Sequence, residues 1–316
     1  MRGAALAALC CAILTACSVL DQDDDRSRYR YTDIVRFGYV IANAFRATHP
    51  EFRLAQGDVA WGRPSDEMAI ELQVEPNFGR VPGASVPLIF AIRQDGDSGR
   101  IYYTDPHDRI PVSFRKVLSP LGAQSPETNT LAEAIRRVGW RDAVTVPGKK
   151  AVDEKLKRAG RAKEVTAVVE LKEPLTMSEI RSRKHLSRSN AIFSPAVAGG
   201  APVYWDHRID WFCQPCGGEG DQMTSDFRAW VSSLEPADEA VLNEFGLSLG
   251  RLREVARAGK VYGYIEHDAN PVLLRKLLKE DYVSTMYLVQ TREYCADDDF
   301  GKCVSGSWPK GDRLNG

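Results

Sequence analysis

Cys213 and Cys216 stand two residues apart in the stretch Trp211-Phe212-Cys213-Gln214-Pro215-Cys216. Two thiols at that spacing can close a disulfide, exchange electrons with a substrate dithiol, or supply two corners of a zinc site. Zinc needs a second pair at a matching interval. The other late pair, Cys295 and Cys303, is separated by seven residues, unlike a common zinc module. Redox exchange needs a thiolate of lowered pKa, as at a helix N-terminus. Here Gly217-Gly218-Glu219-Gly220 follows directly, and glycine costs about 1 kcal/mol per position in a helix. The pattern therefore favours structural disulfides among Cys213, Cys216, Cys295 and Cys303. Four cysteines allow three pairings. Proximity favours Cys213 with Cys216 and Cys295 with Cys303. The nearest competitor ties the Cys213 region to the C-terminal tail. Closing the Cys295–Cys303 loop contributes about 2–3 kcal/mol in the chain-entropy picture.

The Cys213–Cys216 segment also resembles the redox dithiol of the thioredoxin family, including the proline before the second cysteine. The resemblance implies a thiol–disulfide oxidoreductase, but the βαβ pattern expected ahead of such a motif is missing. Gly96-Asp97-Ser98-Gly99 resembles the serine motif of the chymotrypsin family, with His49 as a candidate partner. The interval from His49 to Ser98 is too short for that two-barrel fold, and Arg100 replaces the next glycine. A hairpin turn explains the segment better. Asp95, Asp97 and Gly99 open like a calcium loop, but Arg100 and Pro106 occupy positions that need glycine and glutamate. His49, His107, His185, His207 and His267 lack the i,i+4 partner of a zinc helix, and each is expected in a surface loop. No phosphate-cradling loop or nucleophile elbow occurs. The sequence thus predicts no catalytic set, metal ligands or cofactor.

The N-terminus carries a clearer signal. Arg2 precedes an uncharged apolar run from Ala4 to Leu14, and Leu14-Thr15-Ala16-Cys17 follows. The run is too short to span a bilayer, which takes roughly 20 residues. The layout is that of a secretory signal, and it resembles a bacterial lipoprotein signal whose lipobox ends in the lipidated cysteine. That resemblance implies cleavage after residue 16 and a diacylglyceryl group on Cys17. Two acyl chains suffice for stable anchoring. The expected location is the extracytoplasmic face of a cell membrane. The membrane itself and an unidentified protein or envelope component are the expected partners. Residues 17–31, with Asp23-Asp24-Asp25 and Arg26, Arg28 and Arg30, read as a charged tether.

Apolar residues make up 43% of the chain and charged residues 27%, as in a globular protein, and the formal net charge is −1. Nucleic-acid binding, which needs a basic excess, is not expected. Basic residues do cluster at Lys149, Lys150, Lys155, Lys157, Arg158, Arg161 and Lys163.

The elements that must carry these residues form an α+β pattern. Ile34, Phe37, Ile41, Ala44 and Phe45 predict a helix over 32–48. Strands are predicted at 68–74, 86–93, 100–103 and 112–117, and Thr130-Leu131-Ala132-Glu133 predicts a helix start. Residues 32–142 thus read as an N-terminal helix with a small antiparallel sheet, and 143–163 as a basic linker. From 164 to 292 the predicted order is strand, helix, strand, a helical insertion over 206–259 that holds Cys213 and Cys216, then strand, helix, strand. That is the βαβ-βαβ order of a ferredoxin-like sandwich. A second capping box, Thr176-Met177-Ser178-Glu179, and the pair Asn270-Pro271 mark its helix starts. Residues 293–316 form a C-terminal tail.

Overall fold

The computed structural model describes residues 34–50, 52–61, 68–76, 88–94, 101–104, 111–112, 126–139, 146–161, 163–183, 190–197, 200–206 and 222–293. In chain order the elements are α1 (Ile34–Thr48), β1 (Phe52–Trp61), β2 (Met68–Pro76), β3 (Leu88–Gln94), β4 (Ile101–Thr104), β5 (Pro111–Val112), α2 (Pro126–Arg137) and α3 (Lys149–Ala159). They continue with β6 (Lys163–Thr176), α4 (Met177–Ser182), β7 (Asn190–Ser194), β8 (Val203–Asp206), α5 (Gln222–Ser233), α6 (Glu239–Glu244) and α7 (Leu249–Ala258). The last three are β9 (Lys260–Ala269), α8 (Pro271–Leu278) and β10 (Val283–Glu293). The fold is mixed α and β with antiparallel sheets.

Phe37, Val40, Ile41, Ala44 and Phe45 recur at helical spacing, and all five are buried. They give α1 an apolar face, which packs on β1 and β2 and also reaches β8. The first sheet has five antiparallel strands in chain order, β1-β2-β3-β4-β5. Ile70 and Leu72 of β2 and Ile92 of β3 are fully buried and join the core around α1. The predicted strand at 112–117 is present as Pro111–Val112, and residues 113–117 lie outside the described set.

The second sheet interleaves its strands as β10-β6-β9-β7-β8, every pair antiparallel. On β6, Val165, Ala167, Val169 and Leu171 face a core shared with α3, α5, α7 and α8. Val168 faces the opposite side, against Leu131, Ile135 and Val138 of the α2 region. Burial on both faces explains why β6 reads as a nearly continuous apolar run instead of an alternation. Gly263 on β9 is a packing requirement. A Cβ there would lie 2.4 Å from the Val169 carbonyl oxygen, so only glycine lets β9 approach β6 this closely.

Several helix ends follow the local signals. The Thr176 hydroxyl accepts the Glu179 amide while the Glu179 carboxylate accepts the Thr176 amide at 2.7 Å. Asn270 accepts the Val272 amide at 2.8 Å, with Pro271 opening α8. The structure departs from expectation elsewhere. Thr130 does not start a helix, because α2 begins at Pro126 and Thr130 lies inside it. Moreover α2 packs on β10 and β6, so it serves the second sheet and not the N-terminal one. The expected linker at 143–163 contains α3, whose Val152 and Leu156 are buried against the second sheet's core. A ten-residue strand, β1, stands where none was predicted. Two strands, β7 and β8, stand between α4 and residue 207, where the predicted order has one.

Candidate functional site

The residues expected to define a site, Cys17, Cys213, Cys216, Cys295 and Cys303, lie outside the described residues, as do Gly96 to Gly99, His107, His185 and His207. The structure does show the frame from which the cysteine segments depart: Asp206 at the end of β8, Gln222 at the start of α5, and Glu293 at the end of β10. The frame at Asp206 is firmly held. Arg46 of α1 donates from Nε to the Asp206 carboxylate at 2.9 Å and from its terminal nitrogen to the Asp206 carbonyl. Its guanidinium lies 4.1 Å from the Trp205 ring centroid. Trp205 stacks on Trp230 of α5 with centroids 5.1 Å apart, and Phe193 stacks on Phe227 at 4.8 Å.

The opposite end of α1 is fixed as well. Arg36 donates to Asp238 at 2.7 Å, and Asp238 also accepts the Glu235 amide at 2.7 Å. The Asp238 side chain is 0% exposed. A carboxylate so placed needs its cation, because an unpaired buried charge is strongly destabilising. Thus the first described element after the charged segment is fastened to the second half at both ends. Each ion pair neutralises its carboxylate, which suits a mechanical joint better than acid–base chemistry.

Polar groups also gather on the second sheet. On the face covered by α2, the Tyr287 hydroxyl donates to Glu170 at 2.7 Å. Burial, then the Glu170 carboxylate, pushes the Tyr287 phenol well above its ordinary range, so it stays protonated and is no nucleophile. At the end of that sheet, Asp268 adopts φ +49, in the left-handed region. Its amide and one carboxylate oxygen each lie 3.3 Å from the Thr166 hydroxyl. Arg292 bridges Asp268 at 3.0 Å and Glu164 at 2.6 Å. Here too the carboxylates are occupied by a cation.

Glu266 differs. It stands opposite Ala167 in the β6–β9 register. Burial pushes its carboxyl up to about 7. In turn its charge adds to the burial that raises the Tyr264 phenol. A carboxyl titrating near neutrality is a functional candidate on physical grounds. General acid–base catalysis also needs a reacting group within hydrogen-bond reach, and among the described residues the Glu266 carboxyl makes no side-chain hydrogen bond.

Two histidines depart from the surface-loop expectation. His49 is buried, its ring centroid 4.7 Å from that of Phe45, and its amide caps α1 by donating to the Phe45 carbonyl. His267 lies within β9 and is half-buried. Sequence reasoning missed Glu266 because nothing in Tyr264-Ile265-Glu266-His267 marks a strand carboxyl that faces inward. The joints Arg36–Asp238 and Arg46–Asp206 were equally invisible, since their partners lie far apart along the chain.

Among the described residues, no group of three potential ligands could hold a metal ion, and no helix is long and apolar enough to cross a membrane. Comparison of the chain with family models, curated proteins and solved structures returns no match.

Proposed function

We propose that the chain is a membrane-anchored lipoprotein on the extracytoplasmic face, lipidated at Cys17, whose folded body is a non-catalytic binding, sensing or envelope-associated module. The observation that carries the proposal is Leu14-Thr15-Ala16-Cys17 behind the run Ala4 to Leu14 and Arg2. In support, α1 begins seventeen residues after Cys17 and is fastened to the body through Arg36 and Arg46. A pull on the anchor would pass straight into the second sheet. The strand order β10-β6-β9-β7, with α4 after β6 and α8 after β9, supports a ferredoxin-like sandwich extended by β8 at its edge and by the helical insertion. The occupied carboxylates support a binding role over a catalytic one.

The test is mass spectrometry of the processed N-terminus in the native host. A diacylated cysteine at residue 17 is expected, with Cys17→Ala accumulating as uncleaved precursor. An unmodified N-terminus elsewhere would overturn the anchor.

A second function is favoured by one feature, the proline before Cys216. It is thiol–disulfide exchange at Cys213 and Cys216. Reduction of insulin by the purified protein, abolished by Cys213→Ser, would establish it. A structural disulfide would instead resist mild dithiol, and its removal would lower Tm.

A further inference from the structure

Helices α3 and α8 lie side by side on one face of the second sheet, joined by a two-pronged Arg275–Asp153 pair at 2.8 and 3.2 Å. Val152 and Leu156 of α3, and Leu274, Leu277 and Leu278 of α8, turn inward. The outward surface is left to lysine and arginine. Residues 149–161 and 271–279 hold nine of the chain's 42 cations and two of its 43 carboxylates, so a chain of formal charge −1 carries −8 outside these two segments. One of those two carboxylates, Asp153, is engaged by Arg275. Lys150, Lys155, Lys157 and Arg158 stand exposed on α3, Lys276 on α8 and Lys279 just past it, with two exposed carboxylates nearby, Glu154 on α3 and Asp281 beyond α8.

We propose that this two-helix face is an electrostatic contact for the anionic phospholipid headgroups of the membrane that holds the lipid anchor. The proposal rests on the lipoprotein function above. Three observations choose headgroups over a groove-bound polyanion. The exposed cations are mostly lysines, which act as mobile point charges and not as the bidentate forks that read one phosphate. They lie on two adjacent helices and present a broad surface. Finally, the seventeen chain steps from Cys17 to Ile34 span at most about 60 Å when extended, so the anchor can hold the body with any face down. A diacylated cysteine already secures the protein. The charged face therefore decides orientation, laying α3 and α8 on the bilayer and turning the −8 remainder away from it. Each cation near an anionic surface strengthens partitioning about fivefold, and the effect fades beyond a Debye length of about 8 Å at physiological salt.

The test uses the mature chain from residue 17 with Cys17→Ala, so that neither acyl chains nor the apolar run Ala4 to Leu14 is present, and two sets of vesicles, phosphatidylcholine alone and phosphatidylcholine mixed with phosphatidylglycerol. Co-sedimentation should be at least about tenfold stronger on the mixed vesicles, and salt should abolish the difference. The triple variant Lys150→Glu, Lys157→Glu, Arg158→Glu should lose it. The variant Arg136→Glu, Arg257→Glu, Lys260→Glu changes net charge equally at other exposed sites and should keep it. If the α3 triple unfolds, Lys150→Gln and Lys157→Gln should each weaken binding severalfold in a folded protein. Equal binding to both vesicle types, equal loss in both triples, or capture by heparin without vesicle binding would overturn the proposal. Because no lipid is attached, this experiment reads the helical face alone, whereas the mass of the processed N-terminus reads the anchor alone.

Discussion

The two sheets of this molecule are built by opposite means. In the first, each strand lies beside its neighbour in sequence, so β1 to β5 assemble through successive short closures. In the second, β6 pairs with β9 and β10, and Val165 of β6 meets Thr291 of β10. Those pairings form only after the chain has passed through β7, β8 and the helices α5, α6 and α7. Loop-closure entropy must be met before such distant contacts reward it. The second sheet should therefore stand or fall as a unit, while the first can open strand by strand. Helix α1 belongs to both, since its core residues share one cluster with Ile70 and Leu72 on one side and Trp205 on the other.

The largest expected effect comes from Trp205→Ala, which removes a side chain 1% exposed and stacked on Trp230. A truncation of this kind costs about 3–5 kcal/mol, read as a lower urea midpoint. If the second sheet is one cooperative unit, amide exchange should accelerate through β6, β9 and β10 together. Acceleration limited to β8 would break the contrast between the sheets.

Arg36→Ala comes next. It removes the cation paired with the buried Asp238 carboxylate, which also accepts the Glu235 amide. Removing one partner of a buried pair costs several kcal/mol, and here about 2–4 because Arg36 is partly exposed. The α1 amides should lose protection while those of β6 and β9 keep theirs. Combining it with Asp238→Asn should recover much of the loss, since no charge would then stay unpaired. Matching loss of protection in α1 and β6 would make them one unit and so sharpen the comparison differently.

Glu266 tests the interior of the second sheet through pH. Its folded carboxyl is raised from 4.5 to about 7, so the folded state binds the proton more tightly than the unfolded chain. Stability from this group is full below about 4.5 and is lost as pH rises through about 7, by at most about 3 kcal/mol. Glu266→Gln should accordingly raise Tm at pH 8 and leave it nearly unchanged at pH 4. An equal change at both values would mean that the carboxyl is not held away from solvent.

What could be read in the sequence was whatever is local. The face of α1, the strand β2, the Thr176–Glu179 capping box and the Asn270-Pro271 start of α8 each announce themselves within a few residues. Strand β1 did not, because Gln56-Gly57-Asp58 looks like a turn. The structure absorbs it in a register shift between Leu54 and Val59, an irregularity that single-strand patterns do not reveal. The packing of α3 was hidden behind its basic residues, since only Val152 and Leu156 report burial. The allegiance of α2 to the second sheet is a tertiary fact with no local mark. The same holds for the candidate site. The half-buried Glu266 and the two joints of α1 depend on what arrives from elsewhere in the chain, whereas Leu14-Thr15-Ala16-Cys17 is contiguous, so its resemblance to a lipobox needs no distant partner.

The smallest effect probes the weakest seam of the second sheet. Between β7 and β9 the ladder contains one pair, Ile192 with Gly263. Asn190 extends it with its side chain, accepting the Ile265 amide at 2.7 Å and donating to the Ile265 carbonyl at 2.9 Å. The amide group thus copies the two bonds that one more strand residue would make. Asn190→Ala strips both from a buried backbone, which should cost about 2 kcal/mol. The amide of Ile265 should then exchange faster, with β6–β10 pairing intact. If that amide stays protected, β7 is held to β9 by packing alone, and the seam is no weaker than the rest of the sheet.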